Sequence, residues 1–148
     1  MKLAENIFGA IEKRQSSVRF IRHTISIPFI YGMGIVLVIF DIGVEIYHRI
    51  CFPLYGIPLV NRKEYIKIDR VKLGYLNLVQ KFNCLYCGYA NGLMGYSTEI
   101  IAQTEQFWCA IKHDVSNEKF NVPAHHKNFA TYGSGENPSQ HLTGYVKK

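Results

Sequence analysis

Three cysteines and one histidine have the spacing of a mononuclear metal site. Cys84 and Cys87 are followed directly by Gly88, and Cys109 precedes His113 by about one helical turn. Pairs with these spacings are typical of tetrahedral zinc sites, in which thiolate sulfur and imidazole nitrogen are ligands. A glycine after the second cysteine lets the backbone fold around the ion. The pattern predicts a Cys3His zinc site, and iron with the same ligands is the alternative.

These four ligands complete a tetrahedral shell, which indicates a structural site because a catalytic zinc keeps one position open. Glu105 lies one turn before Cys109, where it is placed either to orient His113 or to remain in solvent. Two interpretations without a metal stay open. In the first, Cys84 and Cys87 form a redox dithiol and Cys109 is a core residue; in the second, all three cysteines are unrelated core residues.

A second set of polar residues lies on one face of an otherwise apolar stretch. Asp41, Glu45 and His48 follow one another at helical spacing. Carboxylates within a membrane are rare without a partner or a role, and the spacing of Glu45 and His48 also occurs in di-iron carboxylate bundles. This face is therefore either a second metal or proton-handling site, or a surface that meets water or protein, with Glu45 paired to Arg49.

The stretch that carries these three residues is apolar enough to enter a membrane. Residues 25–40 contain no formal charge, and a spanning helix needs about 20 apolar residues. Three arrangements stay open: a single span, a re-entrant or in-plane anchor that bends at its prolines and glycines, and a buried helix of a soluble protein. Five Lys or Arg residues flank each side, so the positive-inside rule gives no orientation.

Composition narrows the classes of protein. The 148 residues suffice for one domain, and a hydrophobic content of 48% excludes wholesale disorder and a polytopic bundle. Four cysteines are too few for a disulfide scaffold, and a net charge of +6 favours an anionic neighbour, either lipid or nucleic acid. Phosphate-binding glycine loops, nucleophile elbows and His-Glu-x-x-His runs are absent from the sequence, so nothing supports an enzyme.

The predicted fold is mainly α, with one membrane-embedded or re-entrant helical segment and a small metal-clasped helical subdomain. Four segments follow one another: an amphipathic N-terminal helix over 1–24, a membrane-associated apolar segment over 25–60, a helical metal-binding subdomain over 61–113 and a polar tail over 114–148. Within the third segment we expect a short strand or extended arm, a helix over 71–82, a tight loop over 84–92 and a long helix over 93–113.

Two resemblances concern the same residues. The loop Cys84–Tyr89 resembles the metal knuckle of rubredoxins and zinc ribbons over six residues. The stretches ICFPLYGIPLV, YIKIDR, NCLYCGYANG and TEQFWCAIKH together resemble a group of small bacterial membrane-associated proteins, over roughly Phe29 to His113. The second resemblance implies a bacterial source and supports the three cysteines and His113 as one unit, but it implies no activity.

The sequence therefore predicts a small protein at the cytoplasmic face of the bacterial inner membrane, in which a structural zinc holds a surface for another membrane protein. A membrane-associated redox protein, with a Cys3His iron or the Cys84–Cys87 dithiol, is the first alternative. A zinc-finger-like nucleic-acid binder is the second, and it is weakened because residues 81–113 carry no net charge. No small-molecule substrate is indicated.

Overall fold

Helices make up most of the protein, as predicted, and the part of the chain that the structure describes contains no strand. The computed structural model describes residues 2–116 and 119–136, with the side chains of the first helix from residue 18 onward, apart from 19 and 23. The elements are three α-helices, α1 Lys2–Tyr55, α2 Arg62–Tyr65 and α3 Leu78–Trp108, and two 3₁₀ helices, Arg70–Lys72 and Ala124–Asn128. The chain divides into two compact units, Met1–Phe40 and Asp41–Lys148, and α1 contributes to both.

The apolar segment is a helix that is long enough to cross a membrane. Phe20–Tyr55 is the one candidate span among the described residues, and its 36 residues measure about 54 Å at the rise of an α-helix, against about 30 Å of bilayer hydrocarbon. Its side chains are exposed, since 6% of its apolar window is buried. The helix is continuous across Pro28, Gly32 and Gly43, so the chain does not reverse direction at these residues as a re-entrant segment would. The amphipathic pattern predicted for 1–24 depends mainly on side chains outside the described residues.

Helix α1 ends where the backbone turns at Gly56. This glycine has a φ of +69°, a left-handed conformation that side chains other than glycine rarely adopt. The amide of Ile57 donates to the carbonyl of Phe52 at 2.9 Å, and both of these side chains are buried. The chain therefore leaves the helix through a C-terminal turn that also packs the core.

The start of α3 differs from the prediction. Of the helix predicted over 71–82, residues 78–82 are helical and belong to α3. Residues 71–77 are a 3₁₀ turn and an irregular stretch instead, because the helix-start signal lies at Asn77. The Asn77 side chain accepts from the amide of Gln80 at 2.8 Å, and the Gln80 side chain accepts from the amide of Asn77 at 3.0 Å. This reciprocal capping box satisfies two amides that the first turn of a helix leaves free.

The predicted loop over 84–92 and the predicted C-terminal part of the long helix are both wrong. Residues 84–92 are helical and belong to α3, which ends at Trp108 rather than at His113. Gly92 supports close packing instead of a turn: a Cβ there would lie 2.7 Å from the carbonyl oxygen of Tyr65 and 2.8 Å from Cα of Ile66. The predicted arm after Pro58 is the short helix α2 followed by an extended stretch that packs against α3.

The core of the second unit joins the end of α1 to the second half of α3. Leu93, Tyr96 and Ile100 on α3 are buried together with Phe52 on α1. The segment after α3 also belongs to this core. Ile111 and Ala130 form a parallel β-bridge, and the buried residues of this segment are Ala110, His126, Phe129 and Ala130. Three residues of the predicted polar tail, His126, Phe129 and Ala130, are thus part of this core, whereas most of 119–136 is exposed.

Candidate functional site

The structure does not bring the four predicted zinc ligands together. Cys84 and Cys87 lie in the second and third turns of α3, whereas Cys109 follows its last residue. Cys109 lies twenty-two positions after Cys87 along the helix, which corresponds to about 33 Å. Zinc–sulfur bonds measure about 2.3 Å, so one ion cannot reach both ends of α3. The spacing rules fail here because residues 84–92 form helix where a metal knuckle needs a loop.

The alternatives that share this ligand set fail for the same reason. A Cys3His iron and a zinc finger both need the Cys84–Cys87 pair and the Cys109–His113 pair in one place. The Cys84–Cys87 dithiol keeps its spacing, because residues three apart lie on one side of a helix. All four cysteines are free, and Cys87 and Cys109 are exposed.

The cysteine positions give a direct prediction. Replacing Cys109 with serine should leave the melting temperature of the detergent-solubilised protein unchanged, since substitutions at exposed sites alter the free energy of unfolding by about 0.5 kcal/mol or less. Cys87→Ser is the matched control at the other end of α3. Circular dichroism during heating measures both, and maleimide should label Cys87 and Cys109 in the folded protein. A large loss of stability in Cys109→Ser alone would restore the predicted clasp.

The second predicted polar site is a network centred on Arg62. The Arg62 guanidinium donates to both carboxylate oxygens of Asp41, at 2.6 Å for the pair that involves Nη2, and to Glu45 at 3.1 Å. The Tyr89 hydroxyl donates to Asp41 at 2.7 Å, and Arg49 donates to Glu45 at 2.8 Å. A guanidinium thus lies between the two carboxylates, where a di-iron site would place metal, and the expected Glu45–Arg49 pair is present.

His48 extends this network through a chain of hydrogen bonds with a defined direction. The amide of Val60 donates to Nε2 of His48 at 2.9 Å, so this nitrogen carries no proton. In the neutral imidazole the proton is then on Nδ1, which lies 2.9 Å from the Tyr96 hydroxyl. That hydroxyl donates to Glu45 at 3.1 Å. The side chains of α1 are in this way bonded to α3 and to the loop that precedes α2.

The charges around the network shift the pKa values of its members outside α1. Burial, together with the hydrogen bond to Glu45, raises the pKa of Tyr96 to about 12. Burial and the hydrogen bond to Asp41 raise the pKa of Tyr89 to about 12. The hydrogen bond to Asp41 also raises the pKa of Arg62, which stays charged. Both tyrosines are therefore held as donors, and the arrangement is a stable ion-pair network without a free base or nucleophile.

The tyrosine shifts predict how stability depends on alkaline pH. In the unfolded chain Tyr96 ionises near pH 10, whereas in the folded protein it does so near 12. Its contribution is complete below pH 10 and is lost as the pH rises toward 12, because only the unfolded state then releases its proton. Tyr96→Phe should remove one group that titrates near pH 12 in tyrosinate absorbance and cost about 1 kcal/mol at neutral pH. Loss of a group that titrates near pH 10 would contradict the assignment.

A cluster that the sequence analysis did not find lies at the end of α3. Glu105, on the last turn, is bonded to two consecutive histidines of the 3₁₀ helix Ala124–Asn128. Its Oε2 lies 2.8 Å from Nε2 of His125 and its Oε1 lies 3.0 Å from Nε2 of His126. His113 lies beside them, with its ring centroid 5.5 Å from that of His126. Glu105 and His113 were both named from the sequence, whereas the polar composition of 114–136 hid His125 and His126, whose signal was two adjacent histidines after a proline.

The cluster differs electrostatically from the arginine network. Burial raises the pKa of Glu105, but the hydrogen bonds from His125 and His126 outweigh this effect and lower it, so the carboxylate is ionised. His126 is buried and stacks on Phe129 at 4.7 Å between ring centroids. No arginine or lysine pairs with Glu105 among the described ion pairs. Glu105 was predicted to orient His113. Its carboxylate is instead hydrogen-bonded to the imidazoles of His125 and His126.

Comparison with known proteins gives no relative: neither a family model, nor a curated protein, nor a solved structure matches this chain. The function is therefore inferred from the two clusters and from the surface of the helices.

Proposed function

We propose that the protein is a membrane-anchored interaction subunit, to which no catalytic activity is assigned, held in the bilayer by α1, with the unit Asp41–Lys148 as its binding part. The observation that carries this proposal is the exposed apolar surface of Phe20–Tyr55. In a soluble protein such a surface would be covered, whereas lipid tails are its natural solvent. The polar network accounts for Asp41 and Glu45 at one end of this helix, since each carboxylate has a cationic partner.

The side of the membrane is inferred from the second unit. Its four free cysteines suit a reducing compartment, and five cations lie between Arg62 and Lys72, directly after α1. These cations would attract anionic lipid at the cytoplasmic face, but five others precede the apolar stretch, so the inference of the side rests on the cysteines. The free cysteines support the cytoplasmic face, and the resemblance described in the sequence analysis implies that the membrane is a bacterial inner membrane.

A protein partner is supported by α3. Its buried residues Leu93, Tyr96 and Ile100 continue at helical spacing toward the start of the helix as Leu78 and Phe82. These two side chains are 76% and 60% exposed. The apolar stripe formed by these five residues is therefore uncovered in the first half of α3 and buried in the core in the second half. We expect an apolar helix of another membrane protein to cover it.

Membrane extraction tests the anchor. The full-length protein should stay in the membrane pellet after alkaline carbonate and after high salt, and should be released by detergent. Ile35→Arg places a charge in the middle of the span, at an insertion cost of about 3 kcal/mol, and should reduce the membrane-bound fraction, whereas Ile35→Leu should not. Release of the unaltered protein by carbonate would overturn the anchor.

Site-specific photocrosslinking tests the partner. A photoreactive residue at Phe82 lies on the uncovered stripe, and one at Asn91 lies on the opposite side of α3 and is also exposed. A discrete protein adduct that forms in membranes from position 82 and not from 91 is the expected result. Adducts only with lipid, or equal adducts from both positions, would overturn the proposal of a protein partner.

A further inference from the structure

We propose that Glu105, His113 and His126 bind a divalent transition-metal ion, for which zinc is the best match. One ligand atom from each residue lies within 4.8 Å of the others. Zinc bonds to oxygen and nitrogen measure about 2.0–2.2 Å, so ligand atoms around one ion are about 3–4 Å apart. The three ligand atoms would reach these separations if they moved about an ångström closer to one another. It shares only His113 with the site that the cysteine spacing predicted.

His126 is the buried ligand of this cluster, since its side chain is 1% exposed. Its Nε2 lies 3.0 Å from Oε1 of Glu105, which is close to the separation of two ligand atoms on one ion. Bound metal would replace the proton of this hydrogen bond, and Nδ1, which has no hydrogen-bond partner among the described residues, would carry the remaining proton of the imidazole.

The donor set selects the class of ion. Two imidazoles and one carboxylate suit zinc and other divalent first-row metals, and not calcium or magnesium, which prefer oxygen ligands. His125 is a positioning residue: it holds Oε2 of Glu105 at 2.8 Å and so fixes the orientation of the carboxylate. Three protein ligands leave one position for water.

The positions of the ligands define what the ion would do. Glu105 belongs to the last turn of α3, His113 to the segment after it, and His126 to the 3₁₀ helix Ala124–Asn128. In the described chain the β-bridge between Ile111 and Ala130 already joins these segments. Bound metal would cross-link all three and fix His113 and the 3₁₀ helix Ala124–Asn128 against the end of α3. This inference does not depend on the membrane anchor, and its test has a separate readout.

Cobalt and zinc titrations of the chelator-treated, detergent-purified full-length protein test the site. We expect one ion per chain, with a cobalt spectrum of a nitrogen and oxygen site that lacks thiolate charge-transfer bands. His126→Gln and His113→Gln should each weaken binding at least 100-fold. His113 is exposed, so its variant should keep the fold. His125→Gln should weaken binding about 10–100-fold, as loss of a positioning residue does. Lys127→Gln, on the same 3₁₀ helix, is the matched control and should bind normally.

A triple cysteine variant separates this site from the one predicted by sequence. Replacing Cys84, Cys87 and Cys109 with serine should leave affinity and stoichiometry unchanged. Thiolate charge-transfer bands, or loss of binding in this variant, would overturn the proposal. So would the absence of binding at micromolar metal, or unchanged affinity in both His113→Gln and His126→Gln. Each of these outcomes leaves the membrane-extraction result unaffected.

Discussion

Replacing Arg62 with methionine is expected to lower the free energy of unfolding by about 2–3 kcal/mol. The substitution keeps much of the side-chain volume but leaves Asp41 without its cation and Glu45 with Arg49 alone. Removing one partner of a fully buried pair costs about 3–5 kcal/mol, and we expect less because the Arg62 side chain is 34% exposed and water screens the charges. In detergent, the melting temperature should fall by roughly 4–12 °C.

Two further variants identify the cause of that loss. Arg62→Lys keeps the charge but not the paired donors, so its effect should be intermediate. In the double variant of Arg62→Met with Asp41→Asn, the unpaired carboxylate is gone, and the loss should be smaller than the sum of the single losses. Wild-type melting of Arg62→Met, or strict additivity in the double variant, would show that the ion pair contributes little.

Two glycines of α3, one turn apart, are expected to respond to alanine with opposite signs. At Gly92 an added Cβ would approach backbone atoms of Tyr65 and Ile66 within 2.8 Å, and a backbone cannot move aside as a flexible side chain can. Overpacking of this kind costs about 1–3 kcal/mol, more than the gain in helix propensity of up to about 1 kcal/mol. At Gly95 the nearest atom is a ring carbon of Tyr65 at 3.5 Å, an ordinary contact.

Thermal unfolding of Gly92→Ala and Gly95→Ala compares the two positions within one helix. Gly92→Ala should melt at a lower temperature than the wild type, and Gly95→Ala at the same or a higher one. Because Arg62 and Tyr65 share α2, Gly92→Ala should also weaken the contact between Arg62 and Asp41. Equal melting of both variants would mean that residues 65–66 do not pack against α3 as described.

Local sequence patterns were enough to predict the structure wherever that structure depends on residues within one segment. The apolar stretch after residue 24 is helical, as predicted. Most of its surface is exposed, so its helical structure does not depend on packing against the rest of the chain. The Glu45–Arg49 pair follows from helical spacing alone. The spacing of Asn77 and Gln80 that forms the capping box is also visible in the sequence, but the prediction followed the apolar periodicity over 71–82 instead. Each of these features involves residues at most four apart.

The predicted Cys3His site was wrong because the pattern Cys-x-x-Cys-Gly is compatible with two different structures, a metal-binding loop and a closely packed helix. Glycine after Cys-x-x-Cys is typical of a metal loop, but Gly88 and Gly92 are helical here and face the backbone of residues 65–67. Close approach of two backbones needs glycine as much as a turn does. Which of the two applies depends on what packs against the residue, and a pattern within nine residues does not contain that information.

The amino-acid sequence by itself determined the helical class, the apolar helix and the polar face of Asp41, Glu45 and His48, because helical spacing and hydrophobicity are properties of single segments. Only the tertiary structure decided the partners. Arg62 reaches Asp41 across 21 residues of sequence, and His126 reaches Glu105 across the same separation. Such contacts depend on how segments pack, so the cysteines lie apart and the histidines of the polar segment converge on a carboxylate.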